Sequence, residues 1–224
     1  MRIFKAKLKL LEPLFFATKE ISDMYITEPF IGNYALAYAL GFATSEYIRA
    51  PQPKYVEDLQ SVDTYCTPAV FEKFKWITES FNSTGESRYL FMDKNMYIEY
   101  HGENKRARNI PQIGRLKMIA PESIAVFYVL SKTIPKLPPY IRLGKFNSKA
   151  LVKYQEVRYY KKEGVFETTT AINPADLPFD LDVISYQSIP VKPIPIITWL
   201  KANGGYIQTE QTILPIGMGY CKRV

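Results

Sequence analysis

An α+β domain built on an antiparallel sheet, with helices packed on one face and long insertions, is the fold class these 224 residues predict. Three observations predict it. Apolar and polar residues alternate in several short windows, the signature of half-buried strands. Two proline-led starts, Thr27-Glu28-Pro29 and Thr67-Pro68, precede apolar runs at helical spacing. A composition of 47% hydrophobic and 14% aromatic residues supplies a full core without disulfides or metals.

The elements follow in chain order. From Ile3 to Leu11, Phe4, Ala6, Leu8 and Leu10 alternate with Lys5, Lys7 and Lys9, which gives a strand with one apolar face and one lysine ladder. The ladder serves either to protect a sheet edge or to meet a polyanion, and both readings stand. Thr27 is placed as the cap of a helix over Phe30 to about Leu40, nearly apolar all round and ended by Gly41. Arg49 to Asp63 reads as irregular. Val70, Phe74, Ile77 and Phe81 then fall on one face of a second helix opened by Thr67-Pro68. Tyr89–Met92 and Met96–Tyr100 flank Asp93-Lys94-Asn95 as a hairpin, and His101 follows in a loop. Glu103 to Met118 is basic and carries Pro111 and Gly114, so it reads as an extended, projecting hairpin or loop with little to anchor it. Ile124 to Leu130 is a buried strand. Tyr140 to Gly144 and Lys149 to Tyr154 are strands, the first with Ile141 and Leu143 on one face and Tyr140 and Arg142 on the other. Val165 to Ile172 and Tyr206 to Leu214 complete the set. No repeat and no linker divides the chain, so 1–224 reads as one domain. This order is compatible with the ferredoxin-like or RNA-recognition-motif arrangement, although the aromatic RNP signature is missing.

Composition narrows the chemistry. With a single histidine, His101, there is no H-E-x-x-H and no His-rich metal site. Cys66 and Cys221 are too far apart in sequence for a zinc pattern, and two cysteines are no secreted disulfide framework, so a reducing cytoplasm is the expected setting. G-x-S-x-G, P-loop and G-x-G-x-x-G motifs are also missing. The expectation is a protein without catalytic residues, metal or cofactor, and without a membrane partner.

Charge points to a partner. The net charge is +7, yet Lys132 to Lys162 alone holds nine basic residues and one acid, Glu156, a local balance of +8. Tyr140, Phe146, Tyr154, Tyr159 and Tyr160 are interleaved with them. A solvated face is the bland explanation of such a run; cations beside aromatics are also what neutralises phosphates and stacks bases. A membrane surface would favour a basic helix or tail, so RNA or single-stranded DNA is preferred. Within the series, Tyr140, Arg142, Lys145, Lys149 and Lys153 are candidate contacts on strand-like sequence. Lys105, Arg106, Arg108, Arg115 and Lys117 form a second cluster, and Lys19 lies in the loop after the first strand.

The stretch Glu12-Pro13-Leu14-Phe15-Phe16-Ala17-Thr18-Lys19-Glu20-Ile21, then Thr27-Glu28-Pro29 and Asn33-Tyr34-Ala35-Leu36-Ala37-Tyr38-Ala39-Leu40-Gly41, resembles the start of the type I-D CRISPR-associated proteins of the fifth Cas family, in the RAMP superfamily. The resemblance is densest over the first 45 residues and continuous in layout to the C-terminus. It implies a RAMP palm with a projecting basic thumb, for which 103–118 is the candidate insertion. It implies a Cascade effector subunit for antiviral defence that holds the crRNA 5′ handle. Its neighbours would be the backbone subunit and the large subunit, with target DNA as a further candidate partner. The alternative is a metal-independent endoribonuclease that cuts repeat RNA with His101 and a nearby Tyr or Lys.

Overall fold

The computed structural model describes residues 1–48, 53–83, 97–100, 103–106 and 112–223. Helices are scarcer than the sequence predicts. Among the described residues there are α1 (Asn33–Ala39), α2 (Tyr55–Leu59) and a single 3-10 turn at Pro174–Asp176. The rest is strand: β1 (Arg2–Leu10), β2 (Lys19–Ile21), β3 (Met24–Ile26), β4 (Phe30–Ile31), β5 (Thr64–Cys66), β6 (Ala69–Lys73), β7 (Trp76–Ser83), β8 (Tyr97–Tyr100) and β9 (Glu103–Arg106). After these come β10 (Gln112–Ile119), β11 (Ile124–Ser131), β12 (Tyr140–Leu143), β13 (Ser148–Glu156), β14 (Tyr159–Thr168), β15 (Asp182–Ile189), β16 (Ile196–Thr209) and β17 (Ile213–Pro215). The expected antiparallel sheet is present, in a chain of mostly antiparallel sheets with few helices.

The main sheet runs β12-β13-β1-β11-β6-β4, with β5 also paired to β11. A second sheet runs β2-β3-β10-β7 and a third β14-β16-β15 with β17 on β16, while β8 and β9 pair with each other. Every pairing is antiparallel except β3 with β10. Alternation places β1: Ala6, Leu8 and Leu10 are fully buried while Lys7 is exposed. Buried Phe127, Val129, Ala150, Val152, Ile141 and Leu143 continue that apolar side, and Leu36 and Ala37 of α1 belong to the same core.

Two expected helix starts become something else. Thr27 is fully buried, and its hydroxyl accepts from the Phe16 amide and donates to the Phe16 carbonyl, both at 3.0 Å. It clips two chain segments together instead of capping a helix. Phe30 and Ile31 pair with β6, and α1 begins only at Asn33. Gly41 does end it: φ is +73°, and Gly41 and Phe42 donate to the Tyr38 and Ala37 carbonyls, a Schellman closure.

The second expected helix is absent. Its four apolar residues fall on two strands and the bend between them, where β-branched and aromatic side chains favour a pleated surface. Pro68 can give no ladder hydrogen bond. Thr67 holds the interruption instead, its amide donating to the Tyr128 carbonyl at 2.9 Å and its hydroxyl accepting from the Tyr128 amide at 3.0 Å. Within the stretch expected to be irregular lies α2, and β15 is a strand the sequence reading omits.

A buried polar centre joins distant parts of the chain. The Asp176 carboxylate accepts from Asn33 Nδ2 at 2.5 Å, Tyr34 OH at 2.8 Å, Tyr65 OH at 3.1 Å and the Cys221 amide at 3.0 Å. Burial still pushes its carboxyl up, to about 6, against the pull of those donors. Burial also raises the Tyr34, Tyr65 and Tyr220 hydroxyls, which remain protonated donors. Cys66 and Cys221, far apart in sequence, both border this centre as free thiols. The Cys66 thiol is pushed up to about 12 by burial, which leaves it a small apolar filler and not a nucleophile.

Candidate nucleic-acid interface

Strand register assembles the outer side of the main sheet. On β12, Tyr140 and Arg142 are exposed while Ile141 and Leu143 are buried, as their alternation predicts. Arg142 lies opposite Lys149 and Tyr140 opposite Leu151. On the other edge of β13, Leu151 lies opposite Lys9, Lys153 opposite Lys7, and Gln155 opposite Lys5. Directly opposed residues project to the same face, so the lysine ladder of β1 and the basic series of β12 and β13 form one surface. The two were separated by more than 130 residues of sequence.

The cations on this surface differ in what holds them. Lys9 forms an ion pair with Glu122, and Lys5 Nζ donates to Gln211 Oε1 at 2.5 Å. Arg142 Nη1 donates to the Asn147 carbonyl at 2.9 Å, which fixes the guanidinium near the β12–β13 turn. Lys149 Nζ sits 4.8 Å from the centroid of the Tyr140 ring, which is 54% exposed and so open to a further stacking partner. Lys145, in the turn, lies 5.8 Å from the Phe15 ring, itself stacked on Phe146 at 5.2 Å. That turn needs Gly144: φ is +74°, and a Cβ would stand 2.6 Å from the Phe15 carbonyl oxygen.

Lys7 and Lys153 are different. Both are exposed, they face each other across the β1–β13 ladder, and neither has an acidic or aromatic partner among the described residues. Like charges directly opposite destabilise a sheet. Sequence reading selects Lys153 and omits Lys5, Lys7 and Lys9 from the contact set. Their alternation is visible in the sequence, but their neighbours are not.

The second sheet gathers three more predicted residues. Lys19 lies on β2, not in a loop, and Arg115 and Lys117 lie on β10. Lys19 and Lys117 both pair with Ile26, so they share a face with Arg115, two residues away. Lys117 Nζ stands 4.1 Å over the Trp76 ring, whose indole donates to the Thr27 carbonyl at 3.1 Å. Arg115 Nε is 4.0 Å from an Asp23 carboxylate oxygen. The expectation that Arg115 and Lys117 sit in a poorly anchored segment is corrected. β10 pairs along its length with β7, its Met118 and Ile119 are buried, and its Gly114 packs against Phe81. Lys105 and Arg106 are on β9, opposite Ile98 and Tyr97 of β8. Arg108, His101 and the Tyr89–Met92 half of the expected hairpin lie outside the described residues.

Fold and surface together define a class: a mainly antiparallel β protein with a basic face on its largest sheet. The family comes from the whole chain. Residues 1–223 match the sequence model of the family described as Type I-D CRISPR-associated protein Cas5/Csc1, and the chain belongs to that family. The resemblance seen in residues 12–41 is therefore borne out over nearly the full length. No curated protein matches the chain in sequence. Two solved structures are similar to it. A CRISPR protein from Archaeoglobus fulgidus shares 10% identity over 99% of this chain and 100% of that one, with a TM-score of 0.42. A chain from the type III-B Cmr-β assembly bound to cognate target RNA and AMPPnP shares 12% identity over 93% of this chain and 85% of that one, with a TM-score of 0.44. Likeness at that level decides nothing further about the fold. Among the described residues no helix is long and apolar enough to cross a membrane.

Proposed function

We propose that this chain is a non-catalytic crRNA-binding subunit of a type I-D Cascade effector complex, and that the open face of its main sheet holds the 5′ handle. The observation that carries the reading is the Lys7–Lys153 opposition, a repulsive arrangement that a bound phosphate would turn into an attractive one. Arg142, Lys149 and Lys153 neutralise phosphates and release counterions, which gives affinity with little sequence preference. The half-exposed Tyr140 ring adds base stacking. No bond is made or broken.

The sheet supports a RAMP palm of the ferredoxin-like kind. β13-β1-β11-β6 is the order that a βαββαβ chain gives, with α1 in the place of the first helix. β9 and most of β10 fall within 103–118, the candidate thumb, and β10 is joined to β2, β3 and β7 in the second sheet. Lys105, Arg106, Arg108, Arg115 and Lys117 of that segment, with Lys19 on β2 in the same sheet as β10, would meet the neighbouring backbone or large subunit, or RNA at the junction of handle and spacer. The experiment is a titration of handle-containing repeat RNA at several salt concentrations. The logarithm of the affinity is expected to fall with the logarithm of salt at about −0.7 per phosphate neutralised. A flat dependence would remove the electrostatic reading.

A further inference from the structure

The basic face has an order that its composition does not show. Reading across β12, β13 and β1, one row holds Arg142 and Lys149, the next Tyr140, Leu151 and Lys9, the next Lys153 and Lys7, and the last Gln155 and Lys5. Each of the four rows carries at least one cation. Adjacent rows are two residues apart along the strands, about 6.8 Å at 3.4 Å per residue. That step is comparable to the separation of successive phosphates in an extended single strand. Crossing the sheet instead, neighbouring strands are about 4.8 Å apart, a shorter step than that between successive phosphates. The only aromatic side chain in the rows, Tyr140, is on the outer strand, beside the seam between β13 and β1 and not within it.

We infer that a single RNA strand runs lengthwise along the seam between β1 and β13, one phosphate per row, with one phosphate shared by Lys7 and Lys153 and a base turned outward onto Tyr140. The inference rests on the proposal that this face binds RNA, and adds the path of the strand and the contact residues Lys5, Lys7 and Lys9. Lys7 and Lys153 dominate because neither has an ion-pair or hydrogen-bond partner among the described residues, whereas Lys9 must exchange Glu122 and Lys5 must exchange Gln211 for a phosphate.

The test measures salt dependence for wild type, Lys7→Gln, Lys153→Gln and the double variant, with single-stranded handle RNA as the probe. Four phosphates give the wild type a slope of about −2.8. If Lys7 and Lys153 share one phosphate, each single change weakens binding but leaves the slope unchanged, because the other lysine still neutralises that phosphate. The double change then lowers the slope by about 0.7. Relief of the repulsion should also raise the thermal midpoint of the RNA-free single variants by about 1 to 3 °C. A slope that drops by about 0.7 in each single variant and about 1.4 in the double overturns the shared phosphate and the lengthwise path while leaving RNA binding intact. Single variants that melt lower than wild type overturn the repulsion on which the pairing rests. A wild type with no salt dependence fails at the earlier step, the function itself.

Discussion

Lys7 and Lys153 face each other with no acidic partner among the described residues, whereas Asp176 is enclosed by four donors from α1, β5 and the C-terminal segment. Both regions bring charged or polar groups from opposite ends of the chain to one place. In the second, each group is satisfied, and the result is a fixed junction of distant segments. In the first, two like charges stand directly opposite on neighbouring strands, an arrangement that disfavours the pairing. Natural structures break their pairing rules mainly where function requires it. The contrast sets a satisfied structural centre against the surface proposed to bind RNA.

The largest expected effect is at the structural centre. Burial raises the Asp176 carboxyl from its usual 3.8 to about 6 in the folded chain, so the folded state binds this proton more tightly than the unfolded state. The contribution of this group to stability is accordingly greatest below about pH 4, declines as pH rises to about 6, and is level above that. At 1.36 kcal/mol per unit the decline is about 3 kcal/mol. Asp176→Asn, which sets an amide among donors, should lower stability at pH 5 and also remove this decline. Thermal unfolding of both proteins between pH 4 and 7 checks it, and parallel curves would show that Asp176 does not titrate in this window.

Next is Arg142→Ala, expected to weaken handle RNA binding by about 1 to 3 kcal/mol if the guanidinium pairs with a phosphate. Arg115→Ala sharpens the comparison, because Arg115 already has Asp23 nearby and the pair is exposed. Its effect on the isolated handle should stay below about 1 kcal/mol. RNA titration of the two variants side by side decides this, and equal losses would merge the two basic surfaces into one. The smallest expected effect is that of His101→Ala, which should leave assembly and crRNA maturation unchanged. Lost maturation in a folded variant would favour the endoribonuclease.

Local patterns were legible in the sequence and long-range ones were not. The alternation in β1 and β12 shows which side chains are exposed, and Gly41 marks the end of α1, because each depends on residues a few positions apart. The pairing of Lys7 with Lys153 joins positions 146 residues apart, and no local signal encodes that register. The expected 67–81 helix failed for a related reason: four apolar residues matched a helical period, but Thr67 had a partner on β11 that only the fold supplies. Asp176 left no trace at all, lying in a proline-rich connection that reads as a turn. The family block at residues 12–41 was legible because it is a local run of residues and needs no geometry.

Lysine labelling of the whole chain with and without handle RNA tests the central claim most directly. An amine-reactive reagent read by mass spectrometry reports each side chain separately in one experiment. Bound RNA should protect Lys7, Lys149 and Lys153, while Lys132, paired with Asp63, and Lys201, paired with Glu167, react as before. Protection that falls elsewhere, with Lys7 and Lys153 equally reactive in both states, would contradict the assignment of the open sheet face as the RNA-binding surface.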